Sequence, residues 1–350
     1  SNGLVRHPGG WLGEDADYLY DFINTGDTAR RAWCNATVRD GEMAAGMDRA
    51  SGDWNDFWAG RDYWPKLEGI RAATLMVHGL NDWNVMPVHS THVYQELKQR
   101  GVPAAIYLHQ GGHGGGPTDD LMNRWFTRYL YGVENGVENG DRAWIVREDS
   151  ARTSPIRYAD WPNPAARPVR YHLTAGGSGI GGLTTAAAGN GHESLVDNVD
   201  SSGTALARAG DSPNRLIYAT PELVTPMHLS GTARVRIRMS ADRPAVNLSV
   251  WLVALPWTDP PRGRANFSVI TRGWADPQNR NSLERSEPLV PGEFVDVEFD
   301  LQPDDQVIPA GKRIGLMIFS SDRDFTLWPE PGAKLTVDLA GTWLDLPVVR

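Results

Sequence analysis

Cysteine is nearly absent from this chain of 350 residues, in which Cys34 is the single example. One thiol cannot form an internal disulfide or a thiolate metal cluster, and it leaves the compartment, extracellular or cytoplasmic, open. No apolar run approaches the ~18 residues of a membrane span, so no membrane partner is predicted. Basic residues are outnumbered, with 34 Lys and Arg against 43 Asp and Glu. Because no basic run could follow a phosphate backbone, nucleic acid is excluded as a predicted partner.

A serine nucleophile motif is also missing. The pattern G-x-S-x-G marks the sharp turn that presents a serine above the sheet of many α/β enzymes. Ser51, Ser90 and Ser178 each lack one or both of its glycines, and no other serine fits. If the chain takes part in serine chemistry, the nucleophile is expected outside it.

The residues that are present have a globular composition, with 41% hydrophobic and 22% charged. The length exceeds that of one ordinary domain, so two packed domains are expected. The 14 tryptophans suit either a thick core or an aromatic pocket.

Up to about residue 150 the sequence predicts helices and buried parallel strands. Residues 14–64 have the apolar spacing of short helices. Two continuous apolar runs then indicate strands buried on both faces of a sheet, and a helix is predicted after each. In chain order these elements are the strand Ala72–His78, the helix Val88–Arg100, the strand Ala104–Leu108 and the helix Thr118–Tyr131.

Beyond residue 150 short alternating runs are separated by proline and glycine. Many short strands with turns between them indicate an antiparallel sandwich or jelly roll, with the domain boundary near residue 155. The clearest predicted strands are Val235–Met239, Val246–Val253, Phe294–Leu301, Ile314–Ser320 and Leu335–Leu339.

An aspartate and a histidine follow the two predicted buried strands. Asp82 lies in the loop after the first strand, and His113 in Gly111-Gly112-His113-Gly114 after the second. Carboxyl ends of parallel strands meet at one edge, where α/β sheets hold their active sites. An aspartate that accepts the Nδ1 proton leaves Nε2 free as a base, as a serine hydrolase with chain order Ser, Asp, His requires. The alternative is a turn aspartate and a surface histidine, which the paired topology disfavours.

Other motifs predict no cofactor or metal. Gly177–Gly182 satisfies G-x-G-x-x-G, but it begins no helix and belongs to no βαβ unit, so it is interpreted as a flexible loop. His89 with His92, or His109 with His113, have the spacing of metal ligands. Neither pair has a third ligand at characteristic spacing, and structural roles are expected for them.

Five segments together point to a known family: Gly9–Asp17, Asp53–Trp58, His78–Val85, His109–Gly114 and Pro309–Leu316. They resemble bacterial Xaa-Pro dipeptidyl-peptidases of the serine-peptidase S15 type, whose relatives include cocaine esterase and the α-amino-acid ester hydrolases. The likeness covers essentially the whole chain. His-Gly-Leu-x-Asp-x-Asn-Val and His-Gln-Gly-Gly-His favour the dipeptidyl-peptidase branch.

The resemblance implies the C-terminal part of an α/β-hydrolase with a helical cap, followed by an all-β jelly roll. Residues 1–68 would form the cap region and the segment that binds the substrate amine. Residues 69–155 would form the hydrolase part, and residues 156–350 a galactose-binding-like jelly roll. Asp82 and His113 would be two members of the catalytic triad.

The same resemblance implies substrate-binding residues. Glu14 and Trp11, with Asn84, match positions that receive the free amino terminus, and Val85 matches a wall of the proline pocket. A carboxylate beside an aromatic face binds ammonium by charge-assisted hydrogen bonding and cation–π attraction. Glu14 alone could instead be a carboxylate that stabilises the dipole of its own helix.

The predicted function is a serine dipeptidyl-peptidase that releases Xaa-Pro dipeptides from peptide N-termini. Its expected partner is an N-terminal chain of the same precursor that carries the serine and the oxyanion donors, and self-association into a homo-oligomer stays open. One alternative is an ester or β-lactam acyl hydrolase on the same scaffold. Another is a non-catalytic glycan-binding protein, which the intact Asp82 and His113 disfavour.

Overall fold

The computed structural model describes residues 26–48, 51–148, 150–151, 153–260, 266–326 and 330–350, with the side chain of residue 39 excepted. Trp11 and Glu14 lie outside the described residues, as does the start of the predicted helical region.

Short helices precede the first sheet. Asp27 begins the first helix, because its Oδ1 accepts a hydrogen bond from the main-chain N–H of Arg30 at 2.9 Å, and Asn55 caps a later helix in the same way. Such caps satisfy N–H groups that have no partner within the helix. The helical elements are α1 (Thr28–Cys34), a π-helical stretch (Asn35–Met43), α2 (Ala44–Gly46), α3 (Asp56–Ala59) and a 3₁₀ helix (Trp64–Gly69).

A four-stranded sheet follows, and its first three strands are parallel. The fourth strand is antiparallel to the third, and the order in space follows the order in the chain. The predicted strand–helix–strand–helix series is confirmed. Its elements are β1 (Thr74–Gly79), α4 (Pro87–Gln99), β2 (Ala104–His109), α5 (Asp119–Tyr131), β3 (Ala143–Ile145) and β4 (Ile156–Tyr158).

The two helices cover opposite faces of this sheet. Tyr94 and Leu97 of α4 pack with Ile106 on one face. Trp125 of α5 packs with Tyr107 on the other. Because neighbouring residues of β2 point to opposite faces, every residue of this strand is buried. This explains its continuous apolar sequence.

The second half of the chain is a large β-sandwich with one extended hydrophobic core and a second, smaller cluster around Trp251. All five strands predicted for it are confirmed, with ends shifted by one or two residues. The strands are β5 (Ala166–Thr174), β6 (Gly181–Thr184), β7 (His192–Val196), β8 (Leu216–Ala219), β9 (Met227–Gly231), β10 (Arg234–Ala241), β11 (Leu248–Leu255), β12 (Val269–Ala275), β13 (Val295–Asp300), β14 (Asp304–Ile308), β15 (Arg313–Phe319), β16 (Lys334–Asp338) and β17 (Trp343–Val349), with a short helix α6 (Gly203–Arg208) and a 3₁₀ turn (Pro277–Asn279).

The glycine motif in the sandwich has a structural role. The main-chain oxygens of Ser178 and Gly179 accept hydrogen bonds from Arg215 at 3.2 and 2.8 Å. Arg215 is 1% exposed, so its buried guanidinium is satisfied by loop carbonyls. Residues 177–180 form a loop, as predicted, whereas Gly181 and Gly182 begin strand β6.

Buried polar contacts join the two halves. Asp305 of β14 is fully buried, and its Oδ1 lies 2.6 Å from Nη1 of Arg147, which follows β3. The Ser230 hydroxyl donates to Asp305 Oδ2 at 2.6 Å, and the Glu148 carboxylate accepts from the N–H of Val307. A buried carboxylate needs such partners, so this contact holds the sandwich against the first sheet. No helix in the described part of the chain is long and apolar enough to span a membrane.

Candidate active site

The loops that carry Asp82 and His113 meet at the carboxyl edge of the four-stranded sheet. β1 and β2 are adjacent and parallel, with Gly79 paired to His109. The loops that follow β1 and β2 therefore leave the sheet side by side.

Gly79 allows the two loops to approach closely. A Cβ atom at this position would lie 2.4 Å from the carbonyl oxygens of Gly111 and Gly112. The loops are also joined by hydrogen bonds, including one from the Asn81 N–H to the Gly111 oxygen at 3.0 Å. The distance between Asp82 and His113 is thus determined by backbone contacts as well as by the side chains.

Asp82 and His113 lie within hydrogen-bond distance. Nδ1 of His113 is 3.0 Å from Oδ2 of Asp82. With the aspartate ionised, Nδ1–H donates to the carboxylate, so Nε2 is left as the basic nitrogen. The His113 side chain is 70% exposed, and that of Asp82 is 6% exposed. Nε2 makes no hydrogen bond to any residue that the structure describes.

Two main-chain N–H groups hold the other carboxylate oxygen of Asp82. Those of Asn84 and Val85 donate to Oδ1 at 3.1 and 3.0 Å. Burial alone raises the pKa of Asp82, but the hydrogen bonds from Val85, His113 and Asn84 outweigh it and hold the pKa below its ordinary value. The carboxylate is therefore ionised at neutral pH and can stabilise an imidazolium at His113.

The predicted substrate-binding residues divide into two groups. Asn84 and Val85 follow Asp82 closely in the same loop, and both residues are exposed. Trp11 and Glu14 lie outside the described residues.

The histidine pairs with metal-ligand spacing have other contacts. His92 packs edge-on against Trp64, and Nδ1 of His109 accepts a hydrogen bond from the N–H of Gly111. Among the described residues, no group of three or more His, Cys, Asp or Glu side chains is placed to hold a metal ion.

One residue beside the site was not predicted from the sequence. Arg272 of β12 lies in the sandwich, 7% exposed, and its guanidinium carbon is 4.3 Å from the ring centre of Trp83. Trp83 directly follows Asp82 in the chain. The available signal was a charged residue within a largely apolar strand, but its partner could not be predicted from the sequence.

Both halves of the chain match one peptidase family. Residues 1–115 match the family model described as X-Pro dipeptidyl-peptidase (S15 family). Residues 135–346 match that of the X-Pro dipeptidyl-peptidase C-terminal non-catalytic domain.

Curated relatives extend this match across the whole chain. A Rhodopirellula baltica protein named "Putative Xaa-Pro dipeptidyl-peptidase" is 56% identical over 100% of this chain and 56% of its own length. The Xaa-Pro dipeptidyl-peptidase of Lactobacillus delbrueckii subsp. lactis is 31% identical over 99% of this chain and 49% of its own length. The chain thus spans about half the length of these relatives.

Solved structures share the fold at low sequence identity. An aminopeptidase from a marine-sediment Thaumarchaeota archaeon matches with a TM-score of 0.69 and 17% identity, over 95% of this chain and 64% of that one. An α-amino acid ester hydrolase matches with a TM-score of 0.68 and 16% identity, over 92% and 62%. These likenesses confirm an α/β-hydrolase fold with a C-terminal β-sandwich. With the two family models and the curated relatives, they show that this chain belongs to the X-Pro dipeptidyl-peptidase (S15) family of serine peptidases.

Proposed function

We propose that this chain is the C-terminal part of a serine dipeptidyl-peptidase that releases Xaa-Pro dipeptides from peptide N-termini. The main support is the His113 Nδ1 to Asp82 Oδ2 contact of 3.0 Å at the carboxyl edge of the sheet. The basic Nε2 nitrogen of His113 is on the exposed side of this pair.

His113 acts first as a base and then as an acid. Its Nε2 takes the proton from a serine hydroxyl while that oxygen bonds to the carbonyl carbon of the proline residue. Nε2 then gives the proton to the leaving amine as the C–N bond breaks. Water repeats the cycle and releases the dipeptide acid. Asp82, ionised and held by two N–H groups, stabilises the imidazolium of His113 both when serine attacks and when water attacks.

The nucleophilic serine comes from a segment beyond these 350 residues. The sequence contains no G-x-S-x-G motif. Ser90, which lies near the site, is hydrogen-bonded to His78 instead of His113. Within the described residues β1 pairs only with β2, and its Leu75, Met76 and Val77 are half-buried. An apolar strand with one unpaired edge is suited to additional strands. We propose that they belong to an N-terminal chain of the same precursor, with the oxyanion donors.

Substrate selection depends on the amino terminus and on proline. Glu14 and Trp11 would bind the ammonium group, assisted by Asn84, and Val85 would contact the proline ring. A peptidase that removes two residues must hold the ammonium at a fixed distance from the serine. A carboxylate beside an aromatic ring provides this by hydrogen bonding and cation–π attraction.

Two measurements test the proposed function. The complete enzyme should cleave Xaa-Pro anilides with a higher kcat/KM than simple aryl esters, whereas the isolated 350-residue chain should cleave neither. A preference for aryl esters would indicate an acyl hydrolase instead. Peptidase activity of the isolated chain would contradict the external serine. Intact mass of active material under denaturing conditions should show the additional polypeptide.

A further inference from the structure

The structure places one edge of the β-sandwich beneath both loops of the Asp82–His113 pair. This anchoring edge consists of Arg272, Gln302 and Asp305. We propose that it positions the pair for catalysis, with Arg272 as the principal positioning residue. The inference rests on the proposed function and assigns a role to a domain that forms no part of the reacting groups.

Arg272 is enclosed by three aromatic rings. Its guanidinium carbon lies 4.1 Å from the ring centre of Trp251, 4.3 Å from Trp83 and 4.4 Å from Phe325. Trp251 and Phe325 belong to the sandwich, whereas Trp83 belongs to the catalytic loop. A desolvated guanidinium over an aromatic face is strongly attracted to it. Trp83 is thus attached to the sandwich by a charge that water does not screen.

The polar atoms of Arg272 show that this arrangement is costly. Within the part of the chain that the structure describes, Nε and Nη1 are buried and have no hydrogen-bond partner. Burial lowers the pKa of Arg272 to about 10, so it stays charged at neutral pH. The nearby Asp322 carboxylate accepts from the indoles of Trp251 and Trp274. Unpaired buried donors in a native protein require an explanation, and positioning of the Trp83 loop supplies one.

A second contact holds the other end of the Asp82 loop. The Gln302 side-chain oxygen lies 3.4 Å from the main-chain nitrogen of Val88, at the start of α4. The main-chain N–H of Gln302 donates to the Arg272 carbonyl oxygen at 2.7 Å. The two contacts therefore belong to one continuous piece of the sandwich.

The His113 loop has its own contact with this edge. Gln110 is buried, and its Nε2 donates to the main-chain oxygens of Asp305 at 2.9 Å and Val146 at 3.3 Å. The Gln110 carbonyl oxygen accepts from the Asn81 side chain. Gln110 therefore connects the two loops to each other and to the sandwich. Neither Gln110 nor Arg272 touches the Asp82 carboxylate, so both act through loop position.

The decisive variants are Arg272→Met, which removes the charge, and Arg272→Lys, which keeps a cation over the rings. A loop displaced by about 1 Å can cost about 100-fold in rate, so Arg272→Met should lower kcat about 10- to 100-fold with KM unchanged. Arg272→Lys should recover part of this loss. The matched control is Arg170→Met, because Arg170 lies 3.8 Å over Trp343 on the outer sandwich face and contacts neither loop.

Hydrogen–deuterium exchange gives a readout that needs no activity. The N–H groups of Asn84 and Val85, which donate to Asp82, should exchange faster in Arg272→Met than in the unmodified enzyme. Their exchange rates should be unchanged in Arg170→Met. Trp83→Leu tests the same contact from the loop side if Arg272→Met does not fold. Unchanged exchange in residues 79–86, or equal kcat losses in Arg272→Met and Arg170→Met, would overturn the proposal. If the unmodified enzyme cleaved neither anilides nor esters, the proposed function would fail. The exchange rates of residues 79–86 would still show whether Arg272 holds this loop in position.

Discussion

Nε2 of His78 lies 3.9 Å from Oδ2 of Asp82, yet His78 does not share the role of His113. Both of its ring nitrogens already have partners. Nδ1 is 2.6 Å from the Ser90 hydroxyl, and Nε2 is 2.7 Å from the Val85 carbonyl oxygen. The carbonyl can only accept, so Nε2 carries the proton and Nδ1 accepts from Ser90. His78 therefore supports the loop that holds Asp82.

Ser90→Ala should destabilise the protein, because it leaves Nδ1 of His78 unpaired in a buried site. The expected loss in the free energy of unfolding is about 1–3 kcal/mol, measured by chemical denaturation. Ser194→Ala is the control, since Ser194 makes a similar bond to Thr336 on an exposed surface. It should change stability by less than about 0.5 kcal/mol. Equal losses in the two variants would show that burial at His78 has no special importance.

Asp82→Asn should abolish most activity while it preserves the fold. An amide cannot stabilise an imidazolium and favours the wrong tautomer of His113, so kcat should fall by about 10⁴-fold. Steady-state hydrolysis of an Xaa-Pro anilide by the complete enzyme measures this. Asp119→Asn, at the exposed start of α5, should leave kcat unchanged. A fall of less than tenfold would exclude Asp82 from the triad.

Glu14→Gln should weaken cleavage of free-amine Xaa-Pro substrates far more than hydrolysis of a small aryl ester. Only the interaction with the substrate's ammonium group is lost, and the ester lacks that group. The ratio of the two kcat/KM values is the measurement. Asp17→Asn, on the same segment, should leave the ratio unchanged. Parallel losses on both substrates would indicate that Glu14 supports its helix instead.

Asp322→Asn should change how stability depends on pH. Burial, partly offset by the Arg272 charge, raises the pKa of Asp322 from 3.8 to about 6. Protonation of Asp322 therefore stabilises the folded state by roughly 3 kcal/mol. This stabilisation is complete at pH values below the pKa that Asp322 has in the unfolded chain. This contribution is lost as the pH rises through 6.

The Asn variant mimics the protonated form, so this loss of stability between about pH 4 and 6 should disappear from its denaturation curves. Asp300→Asn, on the exposed face of β13, should retain it. An unchanged pH dependence in Asp322→Asn would mean that another group titrates.

Local patterns were enough to predict the catalytic edge of the sheet. The apolar run that became β2 is continuous because both faces of that strand are buried. The prediction that β1 is equally buried was wrong for residues 74–77, which are half-buried although they pack against the cores on both faces of the sheet. Asp82 and His113 follow β1 and β2 directly, so parallel pairing was sufficient to predict that they meet. The separation of 3.0 Å depends on the close approach at Gly79, which only the structure reveals.

The contacts across the sandwich could not be predicted in this way. Arg272 and Trp83 are far apart in the chain, and neither has a local pattern that indicates the other. The roles of the Asn84 and Val85 N–H groups were also hidden, because any residue other than proline supplies such a donor. Periodicity predicts which faces of a strand are buried, but long-range pairing depends on the whole core.

The position of β17 in the sandwich has a consequence for biosynthesis. This last strand pairs with β5, the first strand of the sandwich, from Trp343 opposite His172 to Val349 opposite Ala166. It also pairs with β9 and β10. The sandwich therefore cannot close until β17 has been translated, and such distant pairing forms slowly. While the ribosome is still adding residues, the strand edges of β5 and β10 are exposed to other nascent chains. Folding chaperones should therefore matter most for this protein between the synthesis of β5 and that of β17.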